Sequence, residues 1–411
     1  MSACSSDECA QQAADRPPLW AHIIRLGAQK LQEAGVASPL HDAQELAEKA
    51  RGGREQSLIG GESADRQELA HFSQMLQRRI RREPLQHILG KMWFRYLELE
   101  SCPGVFIVRP ETEIVAQAGI DVLAEALAQS GGARTENACV KTTSTESTWA
   151  QTARTGSSRL EDARAESARA QTSLTHATEG GISEPRREAL QWGELLQRTV
   201  PERSPLIAVD LFAGSGAIAL AIATELGAAT QGNTPRRDTS QGGAPQVHRS
   251  EHAPASRPQL LVYGVERSAT AYESAQRNNA RYGNPVTFIH ADALAPLPEP
   301  YEEQLVGQAA LVIANPPYVP PYHELSLEVR ADPQMALFGG GEDGLDIPLR
   351  TIQRASELLS TGGMLVMEHA SEQAPALRTA ARAAGFIDVA TGKDLTGAAR
   401  FLRAQWPGVA R

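Results

Sequence analysis

Aromatic side chains are scarce in this 411-residue chain, at 5 %, although hydrophobic residues reach 41 %. Stretches rich in alanine, glycine and serine swell the apolar count without adding core volume, so less ordered mass is expected than the length suggests. Cysteine is also sparse: Cys4, Cys9, Cys102 and Cys139 lie far from any metal-site spacing, which argues against a disulfide framework and for a reducing compartment. No metal site is expected. No run approaches the ~18 apolar residues of a membrane-spanning helix. The first residues carry Asp7, Glu8 and Asp15 and lack the apolar core of a secretory signal, so the expected location is cytoplasmic, with no membrane partner. Basic charge is in deficit, and the net charge of −9 disfavours broad, stable nucleic-acid binding. One basic patch exists, Arg78, Arg79, Arg81 and Arg82, and it reads as a solvated helix end beside Pro84 rather than an RNA contact.

What is present falls into segments. Residues 1–18 read as a disordered tail and 19–83 as a small helical domain, with Trp20, Ile23, Ile24 and Leu31 at helical spacing. Ser38-Pro39 is a start signal, a cap residue followed by proline at the first helical position. Leu69, Phe72, Leu76 and Ile80 share one face of a further helix, which Glu83-Pro84 stops. From Leu85 to Ile107 the pattern turns aromatic and strand-like, so 84–108 is expected to be a linking β-hairpin. The remainder, 109–411, alternates short apolar strands with helices, the pattern of a mainly parallel α/β sheet covered on both faces. Its predicted strands are Leu206–Leu211, Leu260–Val265, Val286–Ile289, Ala309–Ala314 and Gly363–Glu368, with two closing strands between Phe386 and Trp406. Two stretches, about 129–204 and 227–257, hold few large apolar residues and are expected to be disordered surface insertions.

The first strand of that domain runs through Asp210 into Phe212-Ala213-Gly214-Ser215-Gly216. Glycines there let the backbone approach a ligand at the carboxyl end of a strand, although the same residues suit a tight strand-to-helix turn. The second strand ends at Glu266, and a carboxylate in that place can accept hydrogen bonds from both ribose hydroxyls. With a low-complexity stretch of roughly 30 residues set aside, Glu266 follows Asp210 at the spacing of about 20 found in nucleotide folds. Asp292, after the third strand, is placed to accept from an adenine amino group, or else simply forms a turn. No Gly-Lys-Ser/Thr follows the turn and no third glycine completes a dinucleotide fingerprint, so the ligand read here is an adenosine compound other than a nucleotide triphosphate or dinucleotide.

Asn315-Pro316-Pro317-Tyr318 is the most specific signal in the chain. Two prolines have no backbone N–H to donate, so the chain leaving the strand is stiff and its carbonyls are free. An amide nitrogen is a poor nucleophile because its lone pair is delocalised into the carbonyl. If the Asn315 side-chain oxygen and the Pro316 carbonyl accept its two hydrogens, they hold the nitrogen and favour positive charge building on it. Tyr318 can pack against the flat group. With a sulfonium methyl donor, neither a metal nor a covalent enzyme intermediate is required.

These residues resemble the HemK-type peptide chain release factor glutamine methyltransferases. The likeness covers the helical start, Glu83 to Gly90, Arg109-Pro110-Glu111-Thr112-Glu113, the Gly214/Gly216 turn, Asn315 to Tyr318 and Gly362 to His369. Asn-Pro-Pro-Tyr alone is shared with enzymes that methylate exocyclic amines of RNA or DNA bases, and the other motifs are what narrow it. The resemblance implies a class I S-adenosylmethionine-dependent methyltransferase sheet, Rossmann-like α/β, with a small N-terminal helical bundle that helps hold the partner. It implies S-adenosyl-L-methionine as cofactor and the glutamine of a Gly-Gly-Gln motif in class 1 release factors as acceptor. On this reading Asp210, Phe212 to Gly216, Glu266, Asp292, Ala293 and Asn315 would line the cofactor, and Asn315, Pro316, Pro317 and Tyr318 would hold the glutamine, with Asn315, Pro316 and Tyr318 as the catalytic residues. Arg109 to Glu113 would shape the pocket wall. Phe212 departs from the family's usual glycine and looks more like RNA guanine methyltransferases, while Glu266 stands for a commoner Asp.

Overall fold

The structure, a computed structural model, describes residues 18–52, 63–130, 205–230 and 258–408. The expected tail and the larger part of both expected insertions lie outside the described residues.

The N-terminal helices are α1 (Trp20–Glu33), α2 (Pro39–Ala50) and α3 (Arg66–Ile80). Their apolar stripes close on a core of their own, where Trp20 meets Phe72 edge to face at 5.8 Å. Ser38 precedes α2, but its side chain makes no capping bond. The capping box is instead at α3, where Asp65 and Glu68 exchange side-chain and backbone bonds. Pro84 begins rather than only ends an element: Leu85–Leu89 is a short helix, α4, where strand was expected. Leu85, Ile88 and Leu89 bury into the helical core, and this burial overrides the local aromatic pattern.

The hairpin itself is β1 (Lys91–Phe94) and β2 (Leu97–Glu100). It is docked rather than merely linking. Met92, Phe94, Leu97 and Leu99 join the core of the larger domain. Then follow α5 (Thr112–Ser130), β3 (Leu206–Asp210), α6 (Ala217–Thr230), β4 (Leu260–Glu266), α7 (Ala269–Arg281), β5 (Thr287–His290), α8 (Tyr301–Leu305) and β6 (Ala309–Ala314). The chain closes with α9 (Gln334–Leu337), α10 (Asp346–Leu358), β7 (Leu359–Glu368), α11 (Ala374–Ala383), β8 (Ile387–Lys393) and β9 (Ala399–Gln405). Helices α5 and α6 run to Ser130 and Thr230, a few residues into the stretches expected to be insertions.

Seven strands form one sheet in the order β5-β4-β3-β6-β7-β9-β8. The first five pair in parallel, and β9 runs antiparallel between β7 and β8. Both faces are covered, which is why β3 and β6 are buried along their whole length and read as unbroken apolar runs. Alternate residues serve the two sides: Leu206 and Ala208 face α5, α6 and the hairpin, while Ile207 and Val209 face α10 and α11. Strand order reverses between β3 and β6, each with crossovers leading away on opposite sides. In open α/β sheets the ligand crevice lies outside the carboxyl ends of the strands at that point.

Candidate active site

A cleft of about 540 Å³ opens there. The carboxyl ends of β3, β4 and β6 supply Phe212 to Ser215, Glu266, Asp292, Ala293 and Asn315 to Tyr318 to its walls, so most of the residues singled out in the sequence come together. Asp210 and Gly216 do not face it.

The two glycines of the turn are needed for different reasons. Both hold positive φ, +55° at Gly214 and +88° at Gly216. A Cβ at Gly214 would meet nothing within 4 Å, because that side is open cleft, whereas one at Gly216 would lie 2.8 Å from the Phe288 ring. Gly216 therefore packs the turn against β5 and Gly214 leaves room for a ligand. Glu266 ties the two strand ends together: one carboxylate oxygen accepts from the Gly214 amide at 2.8 Å and the other from the Ser268 amide at 2.6 Å. Each oxygen keeps a lone pair, as a ribose diol would require. Burial raises the Glu266 carboxyl above its ordinary range even against those amide bonds. Asp292 accepts from the Leu294 amide at 3.0 Å and stands 3.7 Å from Arg267. Asp210 is a correction: it sits 1 % exposed behind the turn rather than on the cleft wall. Burial pushes its carboxyl up to about 7, although the amides of Phe212 and Ala219 favour its charge, and neither oxygen gains a regular hydrogen bond.

At the end of β6 the geometry is more constrained than the sequence indicated. Asn315, which lines the cleft, donates from Nδ2 to Thr112 Oγ1 at 3.2 Å, and its side-chain oxygen has no hydrogen bond of its own. The Tyr318 hydroxyl donates to Glu368 Oε1 at 3.1 Å, and the Tyr318 backbone carbonyl accepts from Gln373 Nε2 at 2.8 Å. Burial, then the neighbouring Glu368 charge, pushes the Tyr318 hydroxyl far above its ordinary range, so it stays protonated as a donor. Gly344 and Gly339 let the following loop pass directly against this backbone; a Cβ on Gly344 would lie 2.3 Å from the Tyr318 carbonyl oxygen.

Several of these residues were missed in the sequence. Thr112 was noted only as part of a pocket wall, and Glu368 only as part of a motif. The signal for Glu368 was available: a carboxylate ending the apolar strand Gly363–Glu368 is costly unless used. A strap between β6 and α10, including Leu325, Val329, Pro333 and Met335, also lines the cleft. Glu328 anchors it to α3 through Arg79 at 3.0 Å and Arg82 at 2.7 Å. Asp332 anchors it to the Arg109 side chain and the Ile107 amide. Of the basic patch, Arg78 pairs with Glu83 at 2.5 Å, so three of the four arginines are engaged internally. No cluster of three or more metal-ligating side chains occurs among the described residues.

A parallel sheet with one antiparallel strand inserted near its edge, a glycine turn after the first strand, an acid ending the second and an Asn-Pro-Pro-Tyr ending the fourth define a class I S-adenosylmethionine-dependent methyltransferase. Comparison with known proteins narrows this. Residues 22–90 match the PrmC N-terminal domain. The chain is 33 % identical to a release factor glutamine methyltransferase of Bifidobacterium longum over 391 residues, 92 % of this chain and 97 % of that protein. It is 32 % identical to the protein of the same name from Streptomyces coelicolor, over 92 % of this chain and 94 % of the relative. It belongs to the release factor glutamine methyltransferase family.

Proposed function

We propose that this protein methylates the side-chain amide nitrogen of the glutamine in the Gly-Gly-Gln motif of class 1 peptide chain release factors, using S-adenosyl-L-methionine. The observation that carries the reading is the orientation of Asn315. Its Nδ2 donates to Thr112, which leaves the side-chain oxygen as the group available to accept from a substrate. A primary amide offers two N–H groups and needs acceptors. The Asn315 oxygen and the Pro316 carbonyl supply them without rearrangement, which lowers the cost of building positive charge on the nitrogen. The open side of Gly214 and the spare lone pairs of Glu266 suit the adenosine and ribose of the cofactor. When bound, the cofactor supplies a methyl group on a sulfonium centre. Phe212, Ala293 and Asp292 would flank it, with Asp210 supporting the turn from behind.

The internal pairing of Arg78, Arg79 and Arg82 supports a protein acceptor over RNA or DNA, since those charges are not displayed as a phosphate track. The test is transfer of labelled methyl to a purified class 1 release factor beside a copy with alanine at the motif glutamine. Label on the intact factor alone, mapped to that glutamine, is the expected result. Label entering total RNA or DNA and neither factor would replace this reading with base-amine methylation.

A further inference from the structure

Asn315 can present an oxygen to the cleft only while its amino group donates elsewhere. An asparagine amide has two orientations of nearly equal shape, and the wrong one would set a donor against the donors of the substrate amide. Something must therefore select the orientation. Thr112 Oγ1 receives the Asn315 donor at 3.2 Å. A hydroxyl that accepts in this way still has one proton to place. Glu368, 1 % exposed, ends the neighbouring strand, and the Thr112 hydroxyl favours its charged form although no regular hydrogen bond joins the two side chains. The pairing of Ala314 with Met367 across β6 and β7 brings the two strand ends, Asn315 and Glu368, to the same height. Glu368 Oε1 accepts from Tyr318, while Oε2 is fully buried with no regular hydrogen bond. An ionised carboxylate only accepts, so it draws the Thr112 and Tyr318 protons toward itself.

We infer that Glu368 is a positioning residue for methyl transfer: through Thr112 it sets the orientation of the Asn315 amide, and directly it holds Tyr318. The inference rests on the function proposed above. It also gives Thr112, within the Arg-Pro-Glu-Thr-Glu segment, a defined part, as the hydroxyl that accepts from Asn315. Glu368 is not on the cleft wall. A glutamine in its place would bring an N–H₂ group able to donate to Thr112, and the direction of the chain could then reverse.

The test uses the full-length protein with T112V, T112S, E368Q and the double variant T112V/E368Q. Initial rates are measured against an intact release factor, with cofactor affinity by calorimetry. T112V and E368Q are expected to lower kcat by ~10–100-fold, as misplacement of a reacting group by about 1 Å does. KM and cofactor affinity should stay within about threefold, a split that general loosening would not give. T112S, which keeps the hydroxyl, is expected to restore kcat to within about fivefold of wild type. The double variant should be no slower than the slower single one, because both act along one route. Folded T112V with wild-type kcat, or T112S as slow as T112V, would overturn the inference; E368Q, an isostere, carries the test if T112V does not fold. If wild type methylates no release factor, the proposed function fails instead, and the two failures are told apart by the wild-type rate.

Discussion

At the scale of single residues, the cleft depends on which groups donate and which accept. On the proposed reading Asn315 offers the substrate its acceptor, so N315A would remove that acceptor and leave Gly214 and Glu266, proposed to line the adenosine, in place. Its kcat is expected to fall by ~10²–10³-fold with cofactor affinity little changed, as for loss of one preorganised polar contact in other enzymes. Rates and calorimetry on the same preparation check both halves. Glu368 adds a pH dependence. Burial pushes its carboxyl up to about 7, with Thr112, Tyr318 and Arg400 partly offsetting this and Glu111 adding to it; the adjacent His369 is held below its ordinary range by burial and so is neutral. Only the ionised carboxylate is a pure acceptor, so kcat is expected to rise as pH passes through about 7, and in E368Q that step should disappear. Stability moves the other way. The folded state holds this proton more tightly than the unfolded one, so wild type loses stability as pH climbs from the ordinary carboxylate range to about 7. E368Q carries no such charge, and its thermal midpoint should therefore gain on wild type between pH 5 and 8. A slower enzyme that is relatively more stable at pH 8 is the joint outcome expected.

At the scale of elements, α5 precedes the first strand of the sheet and carries Thr112 at its start and Gly119 against β6. A Cβ at Gly119 would lie 2.8 Å from Ile313 Cδ1 and 3.1 Å from Leu311 Cδ2, so the helix lies on the strand at a distance only glycine allows. G119V should destabilise the protein by ~1–3 kcal/mol through overpacking, read as a lower urea midpoint. It should also slow transfer, because Thr112 moves with the helix. The strands were legible because a sheet buried on both faces writes itself as short unbroken apolar runs, and the Gly214 and Asn315 turns were legible because they follow those runs directly. Other elements were not. Helix α4 is too short for periodicity, and its burial comes from α1 to α3. The cap at α3 was overlooked although Asp65 and Glu68 have the expected spacing, while Ser38 has the right residue type and makes no bond. The contact of Thr112 with Asn315 joins segments 203 residues apart in the chain, and no local pattern encodes it.

At the scale of the whole molecule, the cleft has a crowded side and a remote one. Strands β3 and β4 begin at the end of the sheet opposite the cleft, and α6 runs back toward that end after starting at the glycine turn. Leu206 and Leu260 therefore enter the sheet away from the site. Replacing residues 135–200 by a short flexible linker is expected to leave kcat and cofactor affinity within about threefold of wild type, a bound set by the preserved cleft contacts. A rate assay on the shortened chain checks it.

The crowded side is where the helical domain meets the catalytic one. Arg79 and Arg82 of the α3 end both bind Glu328 of the strap, and the strap lines the cleft, so the helical domain and the substrate entrance are held in one arrangement. Burial alone would raise the Glu328 carboxyl, but the hydrogen bonds from Arg82 and Arg79 outweigh it and hold the group down to about 2. A carboxyl depressed in this way contributes stability that is complete above its unfolded range and is lost as pH falls toward 2. E328Q should thus lower the thermal midpoint at pH 7, and the difference from wild type should shrink as pH falls below about 4.5. The functional consequence separates two kinds of substrate. An intact release factor that touched both the cleft and the helical domain would need their relative placement, whereas a short peptide bearing Gly-Gly-Gln would need only the cleft. E328Q is therefore expected to raise KM for the intact factor by ~5–20-fold, about the range of a coupling of 1–2 kcal/mol, and to leave KM for the peptide nearly unchanged. Equal effects on the two substrates would mean that Glu328 shapes the cleft itself, and no effect on either would mean that the helical domain acts independently of the strap.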